Sequence, residues 1–444
     1  MRRLTRRQLL GIGASAAAIG LLAGCSTPGT VSVNTAPTLV PSTEPITLSY
    51  WSWLKDLQKV ADIYNAAHPD VQVETAWIPG GNVGGYQKLY SALAAGGGPD
   101  LAQIELRTLP EFLLVNGLTD LSRYGAEQYA DRYDEALWNQ VSFVDGIYAI
   151  PQDSGPMAMF YQPAVLDLVG GAVPTTWDEW AGLGSSLRQA DVYIDCFPLA
   201  DASYFAALAG QAGASWLRAE PDGWVINMTD EATLDVARFF DAAIDDDLVE
   251  TGYGAYSPAW FAAASRGQMA SVVSGSWGDA LVQGVSGGSG QWEVAPMPTW
   301  GDGGFGSSYL GGSTAAVLAG SKNPAAAMEF AVWMTTSEEG INAMIEHCGI
   351  GWSPATDFIG TARQGPSEFF SGQRYNENVF VPASTQQNPD WTWGPITQQS
   401  LNILSDGFRQ KASGTSLVDS LAASERQIIT AFGNKGLSIR KETA

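Results

Sequence analysis

Sixteen tryptophans and 46 acidic residues make aromatic plates and carboxylates the side chains whose chemistry needs explaining. Trp51 and Trp53 close an alternating run that begins at Ile46. Glu105 directly follows the apolar run Leu101 to Ile104, so it emerges at a strand end, where a carboxylate can accept two hydroxyl hydrogen bonds. Open α/β sheets form their ligand crevices at the C-terminal ends of strands, and these three residues occupy such places. Arg107 competes for Glu105 as an ion-pair partner, and either tryptophan could instead pack beneath the next helix. Glu105 and Asp153 could also act together as a carboxylate pair for acid–base cleavage of a glycoside. Two strings imitate catalytic motifs. Gly284-Val285-Ser286-Gly287-Gly288 fits G-x-S-x-G but lies in a Gly/Ser-rich loop, where a nucleophile elbow needs a strand and then a helix. Gly301 to Gly306 fits G-x-G-x-x-G without the strand-turn-helix unit of a dinucleotide site. Both read as loops, and no cofactor is expected.

The elements that must hold these residues follow from periodicity. Ile46, Leu48 and Tyr50 alternate with Thr47 and Ser49, Leu54, Leu57, Ala61 and Tyr64 recur at helical spacing, and Val71 and Val73 resume the alternation. A second helix gathers Tyr86, Leu89, Tyr90, Leu93 and Ala94 on one face and stops at Gly96-Gly97-Gly98-Pro99. Alternation of strands and helices implies a mostly parallel sheet covered by helices. Further on, Asp145-Gly146 marks a turn between Val141–Val144 and Ile147–Ile150, and Thr176-Trp177-Asp178-Glu179 reads as a capping box. Ser257-Pro258 and Asn323-Pro324 place a cap before a proline at the first helical position. Gly267 closes the first of those two helices, ahead of the run Met269 to Val273.

The N-terminus carries a different signal. Arg2, Arg3, Arg6 and Arg7 precede an uncharged stretch, Leu9 to Ala23, that is too short and too rich in Gly and Ala to span a bilayer comfortably. Residues 1–24 therefore read as a secretory signal. Thr5-Arg6-Arg7-Gln8-Leu9-Leu10 resembles the twin-arginine signal, with the general secretory route as the alternative. Leu22-Ala23-Gly24-Cys25 resembles the lipobox, which implies cleavage before Cys25 and lipid on its thiol. Residues 25–45 then form the lipidated cysteine and a Ser-, Thr- and Pro-rich disordered tether. The expected location is the outer face of the cell membrane, with the chain held there by that lipid.

Residues 46–444 are enough for a large core. The formal charge of −23 becomes more negative once the four signal arginines leave, which argues against a nucleic-acid partner. His68 and His347 are the two histidines, and without a clustered Cys/His pattern no metal site is expected. Whether Cys196 and Cys348 pair is left open by the sequence.

Several segments, taken in order, resemble the family of extracellular solute-binding proteins that deliver sugars to ATP-driven importers, the group that includes the maltose-binding protein. They begin with Ile46-Thr-Leu-Ser-Tyr-Trp-Ser-Trp53, Ala94-Ala-Gly-Gly-Gly-Pro-Asp100 and Gly117-Leu-Thr-Asp-Leu121. Gly146-Ile-Tyr-Ala-Ile-Pro151, Phe160-Tyr161 and Pro174-Thr-Thr-Trp-Asp-Glu179 follow. The later pieces are Gly267-Gln-Met-Ala270, Gly275-Ser-Trp277, Ala295-Pro-Met-Pro298, Leu310-Gly-Gly312, and Asn323 to Trp333 with Thr335-Thr-Ser-Glu338. Each piece is loose by itself, and the order makes the series specific over most of residues 46–400.

The resemblance implies an α/β, two-lobed periplasmic-binding-protein fold of type II, with a hinge between lobes and ligand in the cleft. Lobe 1 would hold 46–150 plus 297–350, and lobe 2 would hold 154–294 plus 354–444. A bond between Cys196 and Cys348 would then join different lobes and hinder closure. The family's stacking aromatic falls on Trp277, its late aromatic loop on Trp391 and Trp393, and a frequent polar contact on Asp153. Trp352 and Tyr309 lie near proposed crossings, and Gly312 would let backbone approach the ligand or make a turn. The implied function is capture of a mono- or oligosaccharide by a monomeric lipoprotein that hands it to a membrane permease and its ATPase. In this reading the chain is no enzyme, and Glu105 and Asp153 bind rather than cleave. A non-sugar solute, a sensor role and a glycoside hydrolase are the alternatives.

Overall fold

The computed structural model describes residues 45–442, apart from 82–83, 134, 144–145, 221, 302, 351 and 362. The signal, Cys25 and the tether fall outside the described residues, as do Asp145 of the expected turn and Asp302 of the glycine string. The alternating run forms β1 (Ile46–Ser52), which buries Leu48, Tyr50 and Ser52. α1 (Leu57–Ala67) buries Leu57, Val60, Ala61 and Tyr64, and β2 (Val71–Trp77) returns parallel to β1 with Val71 opposite Ile46. α2 (Gly85–Ala94) and β3 (Leu101–Glu105) repeat the unit on the other side of β1. Because Leu101 to Ile104 are all buried, Glu105 is the first residue of β3 to escape the core. α3 (Leu109–Leu114) follows, with Pro110 in its first turn.

After β4 (Ile150–Pro151) the chain crosses through 152–156 into β5 (Met157–Tyr161). A long excursion contains α4 (Trp177–Arg188), β6 (Asp195–Cys196), α5 (Ala202–Gln211), α6 (Glu231–Asp245) and α7 (Pro258–Ser265). It continues through β7 (Ser271–Gly275), α8 (Gly278–Val282) and β8 (Glu293–Ala295). The chain crosses back through 307–312 into β9 (Ser313–Val317) and α9 (Pro324–Thr336). Near the C-terminus, α10 (Thr397–Phe408) and α11 (Leu417–Asn434) pack on each other and on α5 and α6.

One sheet has the order β2-β1-β3-β9-β4, another β7-β5-β8, and each anchors one lobe of a two-lobed α/β fold. Within these two sheets the expected parallel arrangement holds for β1, β2 and β3, and outside them β6 pairs parallel with Val249–Glu250 and Gly223–Ile226 with Ile439–Lys441. β9 runs antiparallel to β3 and β4, and β5 runs antiparallel to both its neighbours. Parallel neighbours need a crossover connection, whereas β5 and β9 enter their sheets directly from the chain crossings.

Local signals behave as their chemistry requires, with two exceptions. The Thr176 side chain accepts from Glu179 N–H and Ser257 accepts from Trp260 N–H, both at 3.2 Å. Glu179 does not close the box on Thr176 but takes the N–H and hydroxyl of Thr175, each at 2.8 Å. Asn323 makes no side-chain cap, and its own N–H donates to Ser321 Oγ at 3.2 Å. Around β5, β7 and β8 a separate aromatic core collects Phe160, Trp260, Trp292, Trp352, Phe370 and Phe380. Cys196 is buried, Cys348 half-buried, and both are free, so no disulfide ties the lobes together.

Candidate functional site

The crossings at 152–156 and 307–312 lie side by side as an antiparallel ribbon. Leu310 N–H donates to Gly155 O at 2.9 Å, Met157 N–H to Ser308 O at 3.0 Å, and Gln152 N–H to Ser313 O at 2.9 Å. Gly155 makes this approach possible, because a Cβ there would stand 2.3 Å from the Leu310 oxygen. Gly312 adopts φ +92°, which glycine tolerates at no steric cost, and its carbonyl accepts from Leu106 N–H at 3.1 Å.

Polar groups from both sides converge on this ribbon. Asp153 takes Ser313 N–H at 2.6 Å and the Ser313 hydroxyl at 2.8 Å. The same hydroxyl accepts from Gln103 Nε2 at 2.8 Å, and Gln103 Oε1 in turn receives Ser52 Oγ at 2.7 Å and Trp53 N–H at 3.3 Å. Register sets Ser313 opposite Glu105, whose carboxylate holds Arg107 at 2.9 Å and the Tyr86 hydroxyl at 2.8 Å. Burial pushes the Asp153 carboxyl up to about 6 against the pull of Ser313, and the nearby Glu105 charge adds to the rise. Glu105 therefore meets both of its sequence-level alternatives, a strand-end position and the ion pair with Arg107.

The aromatic residues separate into those facing the crossings and those that do not. Trp277 stands two residues beyond the end of β7, donates its indole N–H to Leu310 O at 2.7 Å, and keeps 37% of its surface exposed. With the N–H edge tied down, an apolar ring is held in a fixed orientation beside Gly311, where a Cβ would approach the indole to 2.9 Å. Tyr309 bridges Pro156 within the ribbon. Trp391 reaches the same region through Gly210 of α5. A Cβ on Gly210 would meet Trp391 at 3.2 Å and the Ser308 hydroxyl at 3.3 Å. Trp393 stands edge-on to Trp391 at 5.2 Å, and Trp53 stands edge-on to Tyr86 at 6.3 Å. Trp51 instead lies under α2, with Lys88 Nζ 4.2 Å from its ring centroid. Trp352 corrects the expectation drawn from its place in the chain: it is 2% exposed within the second aromatic core and presents no face to a ligand.

The site thus offers one exposed plate, flanking aromatics, and carboxylates fixed by neighbours, a set of groups suited to a ligand with apolar faces and hydroxyl edges. Gln103, Ser313, Tyr86 and Arg107 complete it. Sequence reasoning passed over Gln103 and Ser313 because a buried amide and a serine carry no local signature, and their bond spans 210 positions.

A sequence profile of the bacterial extracellular solute-binding proteins matches residues 51–341. The chain belongs to this family. Over 413 residues, 86% of its length, this solute-binding protein is 25% identical to the lactose-binding protein of Rhizobium radiobacter, of which 92% is covered. Its fold matches the galacto-N-biose-/lacto-N-biose I-binding protein of an ABC transporter from Bifidobacterium longum, with a TM-score of 0.81 and 26% identity, covering 90% of this chain and all of that one. The binding protein from B. animalis subsp. lactis Bl-04, in complex with β-1,6-galactobiose, gives 0.76 at 26% identity over the same shares of the two chains. These relatives are binding proteins, and the family is extracytoplasmic by description. Among the described residues of this solute-binding protein, no helix is long and apolar enough to cross a membrane.

Proposed function

We propose that this solute-binding protein captures a mono- or oligosaccharide between its lobes and delivers it to an ABC-type importer, with the permease and its ATPase as partners. The observation that carries the reading is Trp277: an exposed indole face, fixed by its own N–H, beside two crossings that also hold Asp153, Tyr309 and Gly312. Lobe 1 comprises 46–150 with 313–350, and lobe 2 comprises 154–306 with 354–444; the boundary expected at 297 moves to the crossing at 307–312, because Pro298 O accepts from Gln211 Nε2 at 2.7 Å, Thr299 N–H donates to Thr175 O at 2.9 Å, and Trp300 stacks on Trp177. Trp277, Trp391, Trp393 and Trp53 supply plates for sugar faces, and Glu105 accepts hydroxyls. Asp153 keeps acceptor capacity beyond its two bonds to Ser313, since an ionised carboxylate offers about four lone-pair sites.

Binding favours the closed arrangement and shifts the equilibrium toward it, and the closed form docks on the permease. The ligand leaves unchanged, so the chain is no enzyme. Residues 1–24 direct twin-arginine export, and lipid on Cys25 holds a monomer at the outer face of the membrane. The names of the similar proteins carry lactose, lacto-N-biose and β-1,6-galactobiose, so galactose-containing disaccharides are the first ligands to test.

Thermal unfolding across a panel of sugars is the decisive experiment, because a ligand at one hundred times its Kd adds about 2.7 kcal/mol to the folded state. A saturable rise with one sugar, its mass unchanged afterwards and the rise lost in Trp277→Ala, supports capture. No rise with any sugar points to a non-sugar solute, and a cleaved sugar to a hydrolase.

A further inference from the structure

Trp277 is located by more than its own N–H. Tyr256 meets its ring edge-on at 5.7 Å, and two residues further on Asp279, in the first turn of α8, carries a carboxylate into the interior with 1% of its surface exposed. One oxygen of that carboxylate accepts from Ala280 N–H at 2.5 Å. The other accepts the Tyr375 hydroxyl at 2.8 Å and pairs with the Arg363 guanidinium. A hollow of about 460 Å3 lies between α8 and segment 363–367, lined by Ala280, Gln283, Arg363, Gln364, Ser367 and Tyr375, so the ion pair bridges a gap that packing leaves open.

Arg363 holds a second partner. Its Nη2 donates to Gly349 O at 3.0 Å, and Gly349 ends the helical turn Met344–Cys348, which packs on α1. Three residues beyond Gly349, Trp352 is already inside the second aromatic core. The chain therefore passes a third time from the first sheet's side to the second's between Gly349 and Trp352, and Arg363 reaches from the start of that crossing to the turn that carries Trp277.

The backbone of Arg363 sits at φ +60°, a left-handed conformation that costs a residue with a side chain and persists where its surroundings over-determine it. A buried ion pair is weak evidence for stability by itself, because desolvation offsets the attraction. The geometry it imposes is the better account. A guanidinium presents its N–H groups in a rigid fork, and this one serves Asp279 and Gly349 together. The turn at Trp277 is thus held from two directions: the indole N–H binds the crossing at 307–312 through Leu310 O, and Asp279 binds the third crossing through Arg363.

We propose that Arg363 is a positioning residue for ligand capture: through Asp279 it couples the orientation of the Trp277 plate to the third crossing, so that presentation of the ring and movement of the lobes change together. The proposal rests on the reading of Trp277 as the plate that meets the ligand.

The test compares the wild type with Arg363→Lys and Arg363→Met at a temperature where all three are folded. Lysine keeps a positive charge for Asp279 but, as a point charge, cannot reproduce the fork that serves both partners; methionine removes charge and donors alike. Calorimetric titration with lactose, lacto-N-biose and β-1,6-galactobiose gives the affinities. The indole N–H resonance of Trp277 in nitrogen-labelled, ligand-free protein, identified by its absence from Trp277→Phe, reports the orientation of the ring. Both variants are expected to bind about fivefold more weakly or worse, and in both the Trp277 resonance moves while that of exposed Trp77 in β2 stays in place. Wild-type affinity in Arg363→Lys would mean that Asp279 needs only a neutralising charge, and an unmoved Trp277 resonance would mean that the ion pair does not reach the plate; either result overturns the proposal. Failure of the wild type to bind any of the three sugars counts against the sugar reading instead, and the resonance still decides the role of Arg363.

Discussion

Asp195 of β6 places a carboxyl inside the protein with backbone donors for company: Cys196 N–H at 2.6 Å and Val273 N–H at 2.8 Å. Burial pushes this carboxyl up to about 8, against the pull of those two donors. A group whose pKa is raised by folding is protonated in the native state while the unfolded chain has already ionised. Its contribution is complete below the ordinary value near 4 and is lost as pH rises toward 8, at up to about 1.4 kcal/mol per pH unit. Denaturant unfolding at pH 5 and pH 8 is expected to show lower stability at pH 8, and Asp195→Asn is expected to flatten the difference. The variant starts about 1–3 kcal/mol less stable, because an amide has one acceptor oxygen for two backbone donors. An equal pH slope in both proteins would show that the slope arises elsewhere. At this scale the sequence told part of the story. Glu105 was legible because the mostly apolar residues 101–104 before it fix where the strand leaves the core. Asp153 was visible as a polar residue after a proline, yet its commitment to Ser313, 160 positions away, has no trace in any local window. Trp352 misled because position along a chain says nothing about which way an indole turns, and this one turns into the second core.

At the scale of elements, caps were the most legible feature where the cap is local. Thr176 and Ser257 each serve an N–H three residues ahead, within reach of their own side chains. α10 is the contrary case. Ile396 at its start offers no side-chain cap, and Gln398 N–H is taken instead by Glu111 of α3 at 2.5 Å, 287 positions away. The Tyr90 hydroxyl lies 3.5 Å from the other oxygen of that carboxylate. A carboxylate at a helix N-terminus satisfies an orphan donor and complements the helix dipole. Glu111→Ala is expected to lower stability by about 1 kcal/mol, and Glu111→Gln, which keeps an acceptor but loses the charge, to recover most of it. Chemical denaturation of the two variants checks this; equal losses in both would mean that the charge rather than the hydrogen bond holds α10. The antiparallel second sheet was illegible for a related reason, since its strands meet through long connections and not through a repeated strand-helix unit.

For the whole molecule, the ordered series of family segments gave the two-lobed fold, because a sequence of loose matches in fixed order constrains topology more than any one motif. It did not give the ribbon. The lobe boundaries proposed above make sugar-induced closure observable directly: small-angle scattering is expected to show a smaller radius of gyration with saturating sugar, and an unchanged radius would count against a hinge mechanism. The ribbon also shapes that motion. Crossings 152–156 and 307–312 are bonded edge to edge through Gly155 and Leu310, and at their ends through Met157 with Ser308 and Gln152 with Ser313, and a strip bonded in that way bends readily out of its plane but resists shear within it. Relative movement of the lobes is steered toward a single swing, like a door on a strap, so a sugar entering the cleft has one direction along which to draw the halves together and few others in which its binding energy would be dissipated.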